Sequence, residues 1–139
     1  MPIPIQLGAA GIDLSPRVFK SEVVAASPAA AVETTICSVV VQGDLSTALG
    51  IVLIGWATYT VGTNGTGVTF KIRQTDTSGT TVTASGATTA AATNLQDKTI
   101  MGVDDGQVAA RQVYVLTMTV TAGSAASTVT AATLLAIAV

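Results

Sequence analysis

The residues that could do chemistry in this 139-residue chain are few, and their types narrow the options at once. Histidine is absent, so Ser–His and Cys–His nucleophiles and His-ligated metals are out of reach. The single cysteine, Cys37, lies in Thr-Thr-Ile-Cys-Ser-Val-Val-Val, a strand-like run with no base to activate it, and reads as a small buried hydrophobe. Among the carboxylates, Asp97, Asp104 and Asp105 are hard oxygen ligands of the kind calcium takes, but the EF-hand spacing is missing and Asp104-Asp105-Gly106 is also an ordinary turn. Glu33 and Asp44 bracket one strand and so stand at its opposite ends, which does not make a glycosidase pair. Gly62, Gly65 and Gly67 join two strands with no helix behind them, so they form a hairpin loop rather than a phosphate cradle. Sugar stacking needs an exposed ring. Trp56 falls in the most apolar strand, Phe70 and Tyr114 lie on apolar sides, and Tyr59 is the ring expected to be exposed. The expectation is therefore no catalytic residue, no cofactor and no metal.

The elements that would have to position such groups read as β throughout. Residues 1–20 carry Pro2, Pro4, Pro16, Gly8 and Gly11, which discourage both a helix and a central strand. The same stretch holds Ile3, Ile5, Leu7, Ile12 and Leu14. It is an extended apolar arm that must lie either on its own domain or on a neighbouring subunit. Candidate strands follow at 21–26, 33–42, 50–61, 68–74, 80–85, 98–103, 111–121 and 127–139. Ile51-Val52-Leu53-Ile54 is apolar on both faces, as in a strand covered on both sides. Val68, Phe70 and Ile72 alternate with Thr69, Lys71 and Arg73, one face buried and one wet. Leu134, Leu135, Ile137 and Val139 make the last strand apolar on both faces, which suits a central strand or a subunit interface. About eight strands of uneven length predict an all-β, antiparallel two-sheet sandwich of jelly-roll type over 21–139, preceded by the arm. An immunoglobulin-like sandwich fits the same pattern.

Composition bounds the partners. Only 10% of residues are charged, against about 25% in an average domain. Six basic residues and a net charge of −2 offer no nucleic-acid footprint. No apolar run approaches the ~20 residues of a membrane helix, and the N-terminus lacks the basic start of a secretory signal, so synthesis in the cytoplasm is expected. An exterior so poor in charge points to a surface covered by other subunits, because obligate interfaces resemble a domain core cut in half. The alternative is an Ala/Thr-rich monomer kept soluble by its hydroxyls.

Taken together, the Pro/Gly-punctuated arm, Leu53-Ile54-Gly55-Trp56-Ala57, the Gly-rich hairpin, Val68-Thr69-Phe70-Lys71-Ile72-Arg73 and the closing Leu134-Leu135-Ala136-Ile137-Ala138-Val139 resemble the small jelly-roll virion proteins of bacteriophages, of the capsid decoration (cement) and head-fibre types. The resemblance spans most of the chain in texture, and no diagnostic motif carries a binding residue over. It implies a non-enzymatic virion protein, often a trimer, seated on a phage head through the major capsid protein. Contacts would fall on Ile3, Ile5, Leu7, Ile12 and Leu14. A lattice-forming capsid protein and a carbohydrate-binding sandwich using Tyr59 are the alternatives.

Overall fold

The computed structural model describes residues 17–23, 26–43, 45–61, 67–86, 94–106, 111–121 and 127–139. Eight strands run in order: β1 (Arg17–Val23), β2 (Thr34–Gln42), β3 (Ile51–Thr60), β4 (Val68–Gln74), β5 (Thr81–Ala84), β6 (Gln96–Asp104), β7 (Arg111–Val120) and β8 (Thr128–Ala138). They pair into two four-stranded sheets, β1–β8–β3–β6 (sheet I) and β2–β7–β4–β5 (sheet II). Every pairing is antiparallel. The chain changes sheet at each step except β4 to β5, which stay side by side in sheet II. That is the jelly-roll arrangement, and it differs from the ABED/CFG order of an immunoglobulin sandwich. There is no helix among the described residues.

Period-two patterning builds the core. From sheet I, Ile51, Leu53, Ala57, Tyr59, Leu134 and Ala136 point inward; from sheet II, Val39, Val41, Val68, Phe70, Ile72, Tyr114, Leu116 and Met118 meet them. Tyr59 and Phe70 touch edge to face across this interface, with ring centroids 5.1 Å apart. Gly55 makes room at the centre. A Cβ there would stand 2.8 Å from Leu116 Cδ1, so the missing side chain is what lets Leu116 reach across. The connection from β1 to β2 ties the sheets together: Ala26 exchanges backbone hydrogen bonds with Val129 of β8, and the Ala31 N–H donates to the Val120 carbonyl of β7.

The first strand departs from the expected 21–26. It starts at Arg17 and ends at Val23, so the last four residues of the expected arm are sheet. The reason is the partner. β8 presents an open edge from Ala138 to Ala132, against which Arg17 to Val23 pair in unbroken register. β8 is thereby central, between β1 and β3. Residues 1–16, with Ile3, Ile5, Leu7, Ile12 and Leu14, and residues 62–66 lie outside the described residues. The loop expected to close a hairpin at 62–67 instead joins β3 of sheet I to β4 of sheet II, so the two strands do not pair and the connection is a crossover between sheets.

Candidate functional site

The groups singled out for chemistry are kept apart. Asp97 and Asp104 sit at the two ends of β6, seven positions or roughly 23 Å apart along the strand. Asp97 accepts a hydrogen bond from the Thr58 hydroxyl at 2.5 Å. Asp104 accepts from the Tyr114 hydroxyl at 2.7 Å and the Gln74 amide at 2.6 Å, which fastens the end of sheet I to sheet II. Burial, reinforced by this bond to Asp104, pushes the Tyr114 hydroxyl well above its usual pKa. No three acidic or thiol groups converge on a metal position among the described residues. Asp44 lies outside those residues. Cys37 is buried, its Sγ 3.3 Å from the Ser21 carbonyl of the facing sheet.

Glu33 enters an ion-paired cluster on the outer face of sheet II. Arg73 Nε and Nη2 donate to its two carboxylate oxygens at 2.6 and 2.9 Å, Lys71 Nζ at 3.2 Å and the Thr117 hydroxyl at 2.6 Å. The remaining guanidinium nitrogen of Arg73 donates to the Gly79 carbonyl and the Thr81 hydroxyl. The Arg73 hydrogen bonds, with those of Thr117 and Lys71, outweigh burial and bring the Glu33 pKa from 4.5 down to about 2. The face expected to be wet is instead half-buried at Lys71 and Arg73, and Thr117 beneath them is wholly buried. All these charges are partnered within the chain.

The aromatic expectation is reversed. Tyr59 is 1% exposed and Trp56 is 37% exposed. The cause is strand parity: Tyr59 shares its side of β3 with Ile51 and Leu53, whereas Trp56 shares the other side with Val52 and Ile54. A sugar platform built on Tyr59 is therefore excluded.

That other side is the main feature of the molecule. Register aligns the outward residues of sheet I into rows running across all four strands. Val18, Ile137, Val52 and Val103 form the first. Lys20, Leu135, Ile54 and Met101 form the second, and Glu22, Thr133, Trp56 and Thr99 the third. Val18, Met101 and Val103 are 60%, 64% and 58% exposed, and Val52, Ile54, Leu135 and Ile137 between them are half-buried by their neighbours. The only charged side chains in these rows, Lys20 and Glu22, pair with each other at 2.6 Å on the rim strand. With strands about 4.8 Å apart and rows about 6.7 Å apart, the face measures roughly 19 by 20 Å. Contiguous apolar patches of several hundred Å² mark interaction sites. The sequence signal was the double-sided apolar run at 51–54: this chain supplies a cover for one side of it and none, among the described residues, for the other.

Neither a protein-family model nor a curated protein sequence matches the chain. Solved structures do match in shape. A chain from the structure of infectious bursal disease virus, Gx strain, aligns over 99% of this chain and 37% of its own length, with 18% identity and a TM-score of 0.57. A chain of the T13 particle of the same virus aligns over 88% and 35%, with 14% identity and a TM-score of 0.53. A subunit of Bacillus endospore appendages, described as disulfide-linked pili, covers 90% and 91% at 17% identity with a TM-score of 0.46. This chain thus spans little more than a third of the viral chains it matches, and at such identities the likeness to them is one of fold: an all-β sandwich of jelly-roll type.

Proposed function

We propose that the protein is a non-enzymatic structural subunit of a virion, which works by burying the outer face of sheet I against other protein chains. That face is the observation that carries the reading. A soluble, isolated subunit gains nothing from exposing Trp56, Met101 and Val103 together, whereas an assembled one removes them from water. The low charge of the chain and its fold likeness to chains of virus particles support the same reading. In its finer form, following the sequence resemblance, the protein is a decoration (cement) protein on the outside of a phage head, contacting the major capsid protein and copies of itself, with a trimer the expected unit. With a net charge of −2 the subunit has no attraction for the packaged genome.

Immunogold labelling of density-banded particles, with antibody raised against the purified chain, tests this. Gold on intact heads is expected; label confined to the soluble fraction overturns the reading. Closed shells formed by the purified chain alone would make it a lattice-forming capsid protein instead. The carbohydrate alternative now rests on Trp56, flanked by Thr99 and Thr133, and predicts glycan-array binding that Trp56→Ala abolishes.

A further inference from the structure

We infer that the apolar outer face of sheet I is an acceptor for residues 1–16 of a second copy of this chain, so that the subunits are joined by exchanged arms. The inference rests on the proposed role only in taking this face as an assembly surface, and it names what covers it.

The arm fits the face in place, length and chemistry. It joins the fold at Arg17, the first residue of rim strand β1, beside the row that begins with Val18. Sixteen extended residues reach at most about 55 Å, more than twice the length of the face. Ile3, Ile5 and Leu7 are spaced two apart, so an extended segment presents these three on one side about 6.7 Å apart, and Ile12 and Leu14 share a side with each other at the same spacing. That is the spacing of the rows they would lie across. Asp13 is the only ionisable side chain in residues 1–16, so little charge has to leave water. Pro2, Pro4 and Pro16 lack the N–H that edge-strand addition needs, which favours lying on a face over extending a sheet.

Two points favour a second copy over the chain's own arm or a bare pairing of faces. A residue before proline is biased towards extended backbone, and Ser15 precedes Pro16, which disfavours an immediate reversal over the chain's own sheet. Two bare faces of roughly 400 Å² bury about 800 Å² together, short of the 1,200–2,000 Å² of a stable interface, and the arms supply the difference.

Trp56 is the only tryptophan and sits on the face, so its fluorescence reads the cover directly. The experiment combines acrylamide quenching with light scattering on three proteins: the full chain, a deletion of residues 2–15, and the full chain carrying Met101→Lys with Val103→Lys. Far-UV circular dichroism and a cooperative melt verify folding. The two lysines replace exposed side chains, so that variant keeps the test available even if the deletion fails to fold. The full chain should be oligomeric with Trp56 shielded. Each variant should run as a single chain, the double-lysine variant at about the full chain's 13.8 kDa and the deletion correspondingly lighter, with quenching raised severalfold. An equimolar mixture of the two variants should form a one-to-one complex, the arm of one on the face of the other. Three results overturn the inference: a deletion variant that stays oligomeric with Trp56 shielded, which means another occupant; a monomeric full chain with Trp56 shielded, which means its own arm; or equal quenching in all three proteins. Gold labelling of heads is independent of all of these, so the proposed virion role and the arm exchange can fail separately.

Discussion

The outer faces of the two sheets solve opposite problems. On sheet II the chain covers its own exterior: Glu33 gathers Arg73, Lys71 and Thr117 over the middle of β7, and every charge there has a partner. On sheet I the corresponding positions are Val52, Ile54, Trp56, Met101, Leu135 and Ile137, with the Trp56 indole N–H the one side-chain polar group among them and no cover among the described residues. A sandwich needs only its two inner faces to fold. The composition of an outer face therefore reports its surroundings: water and internal ion pairs on sheet II and, on the proposed reading, protein on sheet I. Eight of the twelve positions in the rows of sheet I are apolar, so at about 25 cal/mol per Å² covering about 270 Å² of apolar surface is worth about 7 kcal/mol gross. Lost translational and rotational freedom costs about 4–15 kcal/mol, so one such contact is marginal. Repetition across many linked copies makes it durable.

This contrast predicts that stability and assembly can be damaged separately. The largest effect on stability should come from sheet II. Arg73→Met leaves the half-buried Glu33 carboxylate without its two-pronged partner and should cost about 2–3 kcal/mol, read as a lower urea midpoint with the oligomeric mass unchanged.

Acid probes the same cluster. Because the folded pKa of Glu33 lies below its unfolded value of 4.5, its contribution is complete above that pH and is lost as pH falls towards about 2. Up to about 3 kcal/mol should disappear across that window, and Arg73→Met should flatten the profile. A profile of unchanged steepness in the variant would mean that other carboxylates dominate.

Gly55→Ala tests the contact between the sheets. Its methyl group would press on Leu116, and a loss of about 1–2 kcal/mol is expected in thermal melts. The smallest stability effect belongs to sheet I. Met101→Lys with Val103→Lys should leave monomer stability within about 0.5 kcal/mol while abolishing self-association. Loss of stability in that variant, or of assembly in Arg73→Met, would collapse the distinction between the two faces.

Much of the fold is legible in the sequence, because alternating strands and Gly/Asp turns are local signals. Val68–Gln74 and its neighbours appear where the pattern places them. β1 is less legible: Arg17–Val23 becomes a strand only because β8 offers it an edge more than a hundred residues later. Trp56 and Tyr59 exchange places because strand side is set by parity counted from Ile51, a stronger rule than the polarity of a tyrosine hydroxyl. The Glu33 cluster unites residues 40 and 84 positions apart, and no spacing rule brings them together. The apolar exterior, by contrast, was visible as a run apolar on both sides. What the run alone does not specify is which of its two covers comes from this chain.

The central claim is that protein covers the outer face of sheet I in the assembled state, and oxidative footprinting of the methionines tests it most directly. Met101 stands on that face and Met118 is buried in the core, so one spectrum contains both probe and reference. In the assembled full chain, Met101 should resist peroxide nearly as well as Met118. Rapid sulfoxide formation at Met101 while the chain remains assembled would contradict the claim.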